Sequence, residues 1–345
     1  MYSQIPYPFG IQILGQPGLS TYSIMLMIAF LTASFLAPRE LRRRGLRPEV
    51  ADWGLLIAVI GAIVGSKVFY ILEIWGRIWI IDLSWWDTFK EVFFSWDGMA
   101  DRIPGAMGMW SSLFDPGGLV FYGGFIFAFG GIYFYLRYLG VEIWRYGDAF
   151  MPSLAIGYAI GRLGCLISGD GCFGHAASAN IPLLTMVYGP ENGICNSDPS
   201  LAYQHPYVCS MGVNVWNTPL MESLLSTALF IVYMAWLRHK NFRPGMLVAI
   251  FLIFNGVARF SVEFLRLNDA IIPILDAPVH MTEYGIPRAV SEYRRGGTQP
   301  LAEFFQYWHW YGFTQAQITA FFLIAIGSAW MVIGKLWKRD TAAET

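Results

Sequence analysis

The stretch GRLGCLISGDGCFG, residues 161–174, starts like a membrane helix and ends as a glycine-rich polar turn. A run of about 20 mainly apolar residues is long enough to cross the hydrocarbon core of a bilayer as a helix. The apolar window that contains the start of this stretch spans 148–168, and Arg162 lies close to its end. Because a charge at that place is costly, Arg162 is a candidate functional residue.

Similar apolar windows occur along the whole chain of 345 residues, of which 55% are hydrophobic, 17% aromatic and only 14% charged. This composition is typical of a membrane protein that crosses the bilayer several times, and not of a soluble domain. We therefore predict an all-α integral membrane protein, a single transmembrane domain over 1–345 with seven helices. The predicted helices span 19–37, 51–74, 118–139, 148–168, 219–238, 244–265 and 315–337.

The distribution of basic residues predicts the orientation. Arg and Lys gather in the short segments 38–49, 137–148, 238–245 and 335–345, which the positive-inside rule places in the cytoplasm. The N-terminus is then outside and the C-terminus cytoplasmic, and the long loops 75–117, 169–218 and 266–314 face the exterior. Residues 1–37 contain no Lys or Arg, so the basic start of a cleavable signal peptide is missing and the first span is expected to stay in the protein.

Charged and hydroxyl-bearing side chains meet near the exterior ends of the predicted helices. Helix six ends in ARFSVEFLRLND, which places Arg259, Glu263 and Arg266 on one face. Other helices bring further polar side chains to the same depth: Tyr22, Tyr122, Arg162 and Glu222. Two arginines on different helices at the headgroup level favour recognition of a phosphate through forked hydrogen bonds. The alternatives are ion pairing between helices and, for Arg259 and Glu263, pairing within one helix.

Other patterns favour structural roles. Gly157, Gly161 and Cys165, spaced by four, predict tight packing of helix four against a neighbour. Cys172 and His175 are too few for a metal site, and we expect neither a metal nor a cofactor. The net charge of −1 says nothing about a nucleic-acid partner, because the basic residues are segregated in a few loops, but no basic stripe with interleaved aromatics occurs and we expect no such partner. A disulfide between Cys195 and Cys209 is plausible on the exterior side, where the compartment is oxidising.

Several motifs occur in the order found in one bacterial family. GRLGCLISGDGCFG resembles G-R-x-G-N-F-x-N-G-E, the glycine-rich signature of the prolipoprotein diacylglyceryl transferases. LSTYSIMLMIAF, GSKVFYIL, DPGGLVFYGG, NTPLMES, RFSVEFLRLND and FTQAQITAF are similar to further family motifs in the same order. The resemblance covers almost the whole chain, including its seven predicted helices.

The resemblance implies an enzyme that transfers a diacylglyceryl group from phosphatidylglycerol to the lipobox cysteine of a prolipoprotein, forming a thioether and releasing glycerol phosphate. Arg162 and Arg259 would neutralise the lipid phosphate as it becomes the leaving group. Glu263 would orient Arg259, and Arg266 with Asp269 would frame the opening to the exterior. The cysteine thiol of the acceptor must lose its proton, because thiolate is the nucleophile.

Further residues are assigned to substrate binding by the same resemblance. Tyr22 would hydrogen-bond the lipid, and Asp170 would order its loop or contact the glycerol headgroup. The remaining assigned positions are Lys67, Gly174, Glu222 and Arg266.

Several positions depart from the family pattern, among them Asp170, where the family has a glutamate. Tyr122 stands where the family has a histidine, and a neutral phenol with a pKa of about 10 is a poor base at neutral pH. Tyr122 therefore either only positions substrate or belongs to a different mechanism. Cys165 and Ser168 replace asparagines, and Met221 replaces a tyrosine. These changes affect groups that would handle the acceptor or hydrogen-bond the lipid more than they affect the arginines.

The expected location is the bacterial inner (plasma) membrane, with the active site toward the exterior or periplasm. The expected partners are phosphatidylglycerol, the signal peptide of a prolipoprotein and the bilayer itself. The main alternative is a non-catalytic lipid-binding or structural subunit on the same fold, which would have a partner in a membrane complex. A transporter or channel fits less well, because no inverted repeat is visible and the ionisable groups cluster on one side of the membrane.

Overall fold

A computed structural model describes residues 4–6, 18–78, 84, 86–87, 121–168, 172–175, 177, 179–188, 213–266, 270–274 and 312–338. Helices occur at all seven predicted places. They are α1 (Thr21–Arg43), α2 (Glu49–Ile78), α3 (Phe121–Tyr138), α4 (Ile143–Ser168), α5 (Thr218–Ala235), α6 (Met246–Glu263) and α7 (Gln315–Ile333).

Six of these helices are long and apolar enough to cross a membrane, within the part of the chain that the structure describes. The helix α3 is not among the six. The chain is thus a mostly helical protein with several candidate membrane spans, while the count of seven spans and the orientation stay predictions.

The observed helix ends differ from the predicted windows mainly at the ends that are followed or preceded by charged residues. Helix α1 runs on to Arg43 with Pro38 inside it, and α4 already starts at Ile143, although the basic loops were predicted there. A hydropathy window stops at the first charged residues, but backbone hydrogen bonds of the helix continue into polar sequence. Helix α5 instead ends early, at Ala235, and a 3-10 turn covers Leu237–His239.

Short antiparallel strand pairs occur before the first helix and in two of the predicted exterior loops, 169–218 and 266–314. β1 (Gln4–Pro6) pairs with β2 (Gly18–Ser20), and β3 (Thr185–Tyr188) pairs with β4 (Val213–Trp216). β5 (Ala270–Pro273) pairs with β6 (Gly312–Thr314), with Ala270 opposite Thr314. The strands β2, β4 and β6 lead directly or after one residue into α1, α5 and α7, so each pair fixes where a helix begins.

The chain forms two compact units, of which the smaller covers Leu41–Tyr146. In this unit α2 and α3 approach through glycines. A Cβ on Gly65 would collide with the carbonyl of Gly123, and a Cβ on Gly61 would lie 2.9 Å from the Cα of Ala128. Small residues allow such close backbone contact between membrane helices, which is how packing without a hydrophobic driving force is achieved.

The larger unit covers Met1–Glu40 and Gly147–Thr345. Its apolar core contains Tyr233, Leu247 and neighbouring side chains of α4, α5 and α6. Two serines of α5 tie it to α4: Ser223 Oγ donates to the Ala159 carbonyl at 2.9 Å, and Ser226 Oγ to that of Ala155 at 2.8 Å. Such bonds between helices satisfy polar groups that lipid could not.

The small-residue stripe on α4 packs differently from the prediction. At Gly157 and Gly161 a Cβ would meet none of the described atoms within 4 Å. The close approach is at Gly164, where a Cβ would lie 3.1 Å from Met25 Cβ and 3.3 Å from Tyr22 Cδ2 of α1. The prediction therefore named the wrong face of α4. The close contact lies on the face of Gly164, which is rotated by one residue from the face of Gly157, Gly161 and Cys165.

Asp170, Asp269, Cys195 and Cys209 lie outside the described residues, so their predicted roles stay predictions. The single-domain organisation of 1–345 is likewise a prediction.

The packing of α6 on α7 gives a test of the fold. In Gly256→Ala the new Cβ would lie 2.8 Å from the Ala320 carbonyl oxygen and 2.7 Å from Ile324 Cγ1. We expect the thermal unfolding temperature in detergent to fall, because overpacking costs about 1–3 kcal/mol. The matched variant Gly157→Ala adds a methyl group where described atoms leave space, and its helix propensity favours stability by up to about 1 kcal/mol. Equal unfolding temperatures for the two variants would contradict the described helix contact.

Candidate active site

The candidate site is centred on the carboxylate of Glu222, in the first turns of α5. Asn217 caps this helix by accepting a hydrogen bond from the Leu220 N–H, and Pro219 lies in the first turn. Only 2% of the Glu222 side chain is exposed. A carboxylate buried to this extent in a membrane helix needs cationic partners.

Arginines from two helices supply that charge. Arg162 Nε of α4 lies 2.6 Å from Glu222 Oε2, and Arg259 Nη1 of α6 lies 2.7 Å from Oε1. The arginines thus form ion pairs between helices, which was one of the alternatives that the sequence left open. The side chains of Arg162 and Arg259 stay 18% and 25% exposed, so neither side chain is fully enclosed by the protein.

Tyr158 completes the bonding of Glu222. Its hydroxyl donates to Glu222 Oε2 at 2.6 Å and accepts from Arg162 Nε at 3.1 Å. Sequence reasoning missed this residue, although Tyr158 precedes Arg162 by one helical turn and the two side chains had to share a face. The phenol fixes both the arginine and its carboxylate.

A second buried carboxylate, Glu263, lies at the end of α6 with a fully buried side chain. Its Oε2 is 3.1 Å from Arg259 Nη2 and 3.8 Å from Arg266 Nε. Arg259 therefore bridges the two carboxylates with its two terminal nitrogens, a fork that a lysine could not form. The pairing of Arg259 with Glu263 expected at i, i+4 is present.

The backbone of Arg266 is fixed by an extended segment that contains Gly174. Gly174 forms an isolated antiparallel bridge with Arg266. The N–H of Gly174 donates to the Trp216 carbonyl at 2.8 Å, and the N–H of the next residue, His175, donates to the Leu265 carbonyl at 2.8 Å. A Cβ on Gly174 would collide with the Leu265 carbonyl. Gly174, predicted to bind substrate, thus lies where only glycine allows the strand to reach Arg266.

The Arg266 side chain is only 13% exposed, and its guanidinium faces both carboxylates, with Nη1 3.6 Å from Glu222 Oε1 and Nε 3.8 Å from Glu263 Oε2. Among described atoms, its buried Nε and Nη1 have no hydrogen-bond acceptor. Buried donors without acceptors are rare and are often completed by a ligand or water. Three guanidinium groups meet two carboxylates here, so the described cluster has one positive charge in excess.

Two other predicted site features lie beside Arg162. Its Nη1 is 3.9 Å from the Sγ of Cys165, which is buried. Tyr22 of α1 contacts the Gly164 backbone region of α4, close in sequence to Arg162. The peptide after α4 is tied to α5, where Thr218 Oγ1 donates to the Cys172 carbonyl at 2.5 Å.

Lys67 and Tyr122 belong to the smaller unit. Lys67 is a buried residue of α2, and Tyr122 is the second residue of α3. Their predicted roles stay predictions, as does the role of Asp170 outside the described residues. The described residues contain no group of three or more His, Cys, Asp or Glu side chains that could hold a metal ion.

Comparisons with known proteins agree with the sequence motifs. The family model described as prolipoprotein diacylglyceryl transferase matches residues 8–333. A protein of Leptospira interrogans named phosphatidylglycerol--prolipoprotein diacylglyceryl transferase is 40% identical over 94% of this chain and 92% of its own length.

More distant relatives bear the same name. One from Gloeobacter violaceus is 27% identical over 77% of this chain and 84% of its own length. Another, from Geobacillus kaustophilus, is 27% identical over 73% of this chain and 78% of its own. The predicted family and the predicted enzyme class, a transferase, are confirmed. The chain belongs to the prolipoprotein diacylglyceryl transferase family.

Proposed function

We propose that this chain transfers the diacylglyceryl group of phosphatidylglycerol to the cysteine thiol of a prolipoprotein, with Arg162, Arg259 and Arg266 around the lipid phosphate. The observation that carries this assignment is the buried cluster of three guanidinium groups and two carboxylates, which retains one positive charge. A phosphodiester with a single negative charge neutralises that excess.

The chemistry requires charge stabilisation at the phosphate. The thiolate sulfur of the acceptor attacks the glyceryl carbon, a carbon–sulfur bond forms, and the bond from that carbon to the phosphate oxygen breaks. Glycerol phosphate leaves with the electron pair, so negative charge grows on its oxygens in the transition state. Arginine donors held in place before the reaction stabilise this charge without reorganisation.

Arg266 supports the same assignment. Its Nε and Nη1 are buried without a hydrogen-bond acceptor among the described atoms, and its ion pairs at 3.6 and 3.8 Å are longer than hydrogen bonds. A phosphate oxygen would provide the missing acceptor. Arg266 is thus assigned to substrate binding, together with Tyr22 near Arg162.

For the arrangement in the cell, we propose the bacterial inner membrane, seven spans, the N-terminus outside and the arginine cluster near the exterior face. The basic residues at the other ends of the helices support this orientation, including Arg42 and Arg43 of α1, Arg137 of α3 and the 3-10 turn Leu237–His239. The acceptor is then the signal peptide of an exported prolipoprotein, and the donor comes from the bilayer.

The variant Arg259→Lys tests the function directly. It keeps the charge but cannot bridge Glu222 and Glu263, and we expect kcat/KM for transfer to fall at least about 100-fold. The assay is transfer from labelled phosphatidylglycerol to a lipobox peptide in proteoliposomes. Arg243→Lys, an exposed arginine that bonds the Gly334 carbonyl at 3.3 Å, is the matched control and should keep full activity. Lipid binding by the wild-type protein with no transfer would favour the non-catalytic alternative.

A second variant tests Tyr122. We expect Tyr122→His to raise the transfer rate at neutral pH, because an imidazole with a pKa of about 6.5 accepts the thiol proton better than a phenol. Tyr138→His in the same helix, at an 88% exposed position, is the control. An unchanged rate in Tyr122→His would place the proton acceptor elsewhere.

The orientation has its own test. Leu184→Cys in the second predicted exterior loop should react with a membrane-impermeant maleimide in intact spheroplasts. Lys240→Cys, next to the 3-10 turn, should react only after permeabilisation. The unsubstituted protein reports the background of its natural cysteines, and the reverse labelling pattern would overturn the proposed topology.

A further inference from the structure

The hydroxyl of Thr314 connects the start of α7 to the arginine cluster. Its Oγ1 donates to Glu263 Oε1 at 2.9 Å and accepts from the Gln317 N–H at 3.2 Å, and the residue is buried. Gln317 Oε1 accepts in turn from the Thr314 N–H at 3.2 Å, so the two residues form a capping box. The single proton of the hydroxyl therefore goes to Glu263, while its lone pair caps the helix.

Because of this hydrogen bond, the two carboxylate oxygens of Glu263 have different partners. Oε1 is bonded to Thr314, whereas Oε2 is the oxygen nearest to Arg259 and Arg266, at 3.1 and 3.8 Å. A carboxylate whose side chain is fully buried can rotate about its last bond, which exchanges the two oxygens. A donor fixed on Oε1 holds Oε2 toward the guanidinium groups.

The position of the hydroxyl is fixed by the chain around it. Thr314 is the last residue of β6 and pairs with Ala270 of β5, which follows Arg266 closely in sequence. Ala270, four residues after Arg266, thus lies beside Thr314. The hydroxyl donor is thus held by the strand pair and by the first turn of α7, while Glu263 is the last residue of α6.

We propose that Thr314 is a positioning residue of the reaction: through Glu263 it sets the orientation of Arg259 and Arg266 for the lipid phosphate. This inference rests on the proposed function. It differs from a role in helix capping alone, in which Thr314 would stabilise α7 and leave the arginines unaffected.

Kinetics of Thr314→Val and Thr314→Ser separate these roles. Valine has the shape of threonine without the hydroxyl, and we expect kcat for diacylglyceryl transfer to fall roughly 10- to 100-fold, as for other misplacements of catalytic groups. Serine keeps the hydroxyl and should retain kcat within about twofold of the wild type. Thr319→Val is the matched control, because the exposed Thr319 hydroxyl bonds only the Gln315 carbonyl among the described residues, at 2.9 Å, one turn into the same helix.

A double-mutant cycle with Glu263→Gln tests whether Thr314 acts through Glu263. In that background Thr314→Val should lower kcat by less than about twofold, because the connection is already broken. Losses that add in full would overturn the inference and leave Thr314 a helix cap. So would wild-type kcat in Thr314→Val together with a lowered unfolding temperature. Absence of transfer by the wild-type protein would instead overturn the proposed function.

Discussion

The buried carboxylate of Glu222 is the interaction on which the site depends. Arg162 of α4, Arg259 of α6 and the Tyr158 hydroxyl all reach it, at 2.6 to 2.7 Å. Removing one partner of a buried ion pair costs about 3–5 kcal/mol, whereas replacing the whole set by apolar side chains is often neutral or stabilising. Stability alone therefore does not explain why the chain keeps this network. The proposed function does explain it, because that function requires guanidinium groups in fixed positions around the lipid phosphate.

The surrounding fold can be understood as support for that placement. Helix α5 carries Glu222 and is fixed at its start by the Asn217 cap and along its length by Ser223 and Ser226, which bond to α4. Because α4 also carries Arg162, these bonds set the distance between the arginine and the carboxylate. On the other side, Gly174 lets an extended segment contact the backbone of Arg266. Hydrogen bonds of the main chain and short hydroxyls thus position long charged side chains.

Much of this arrangement was predictable from the sequence. Hydrophobic windows locate helices because a membrane span must be long and apolar, and the i, i+4, i+7 spacing placed Arg259, Glu263 and Arg266 on one face. The capping box of α7, Thr314 followed three residues later by Gln317, also has a local sequence pattern, although it was not among our predictions.

The contacts between distant segments were not predictable. No local pattern tells that the Thr314 hydroxyl meets Glu263, or that Glu222 accepts bonds from two helices. The prediction for the small-residue stripe of α4 was wrong for the same reason. The spacing indicates which helix face lacks large side chains, but the position of the neighbouring helix determines which face is packed. Here α1 approaches α4 at Gly164.

In the proposed function, the two carboxylates also limit how strongly the site binds the released glycerol phosphate. Three unpaired guanidinium groups would attract the dianionic glycerol phosphate even more than the monoanionic donor lipid, and uniformly strong binding does not raise kcat. Glu222 and Glu263 reduce the excess to one positive charge and hold the arginines in fixed directions. Stabilisation then comes from geometry set in advance, at the oxygens where charge develops, more than from total charge. In the proposed function, such a site stabilises the departing phosphate and still releases it.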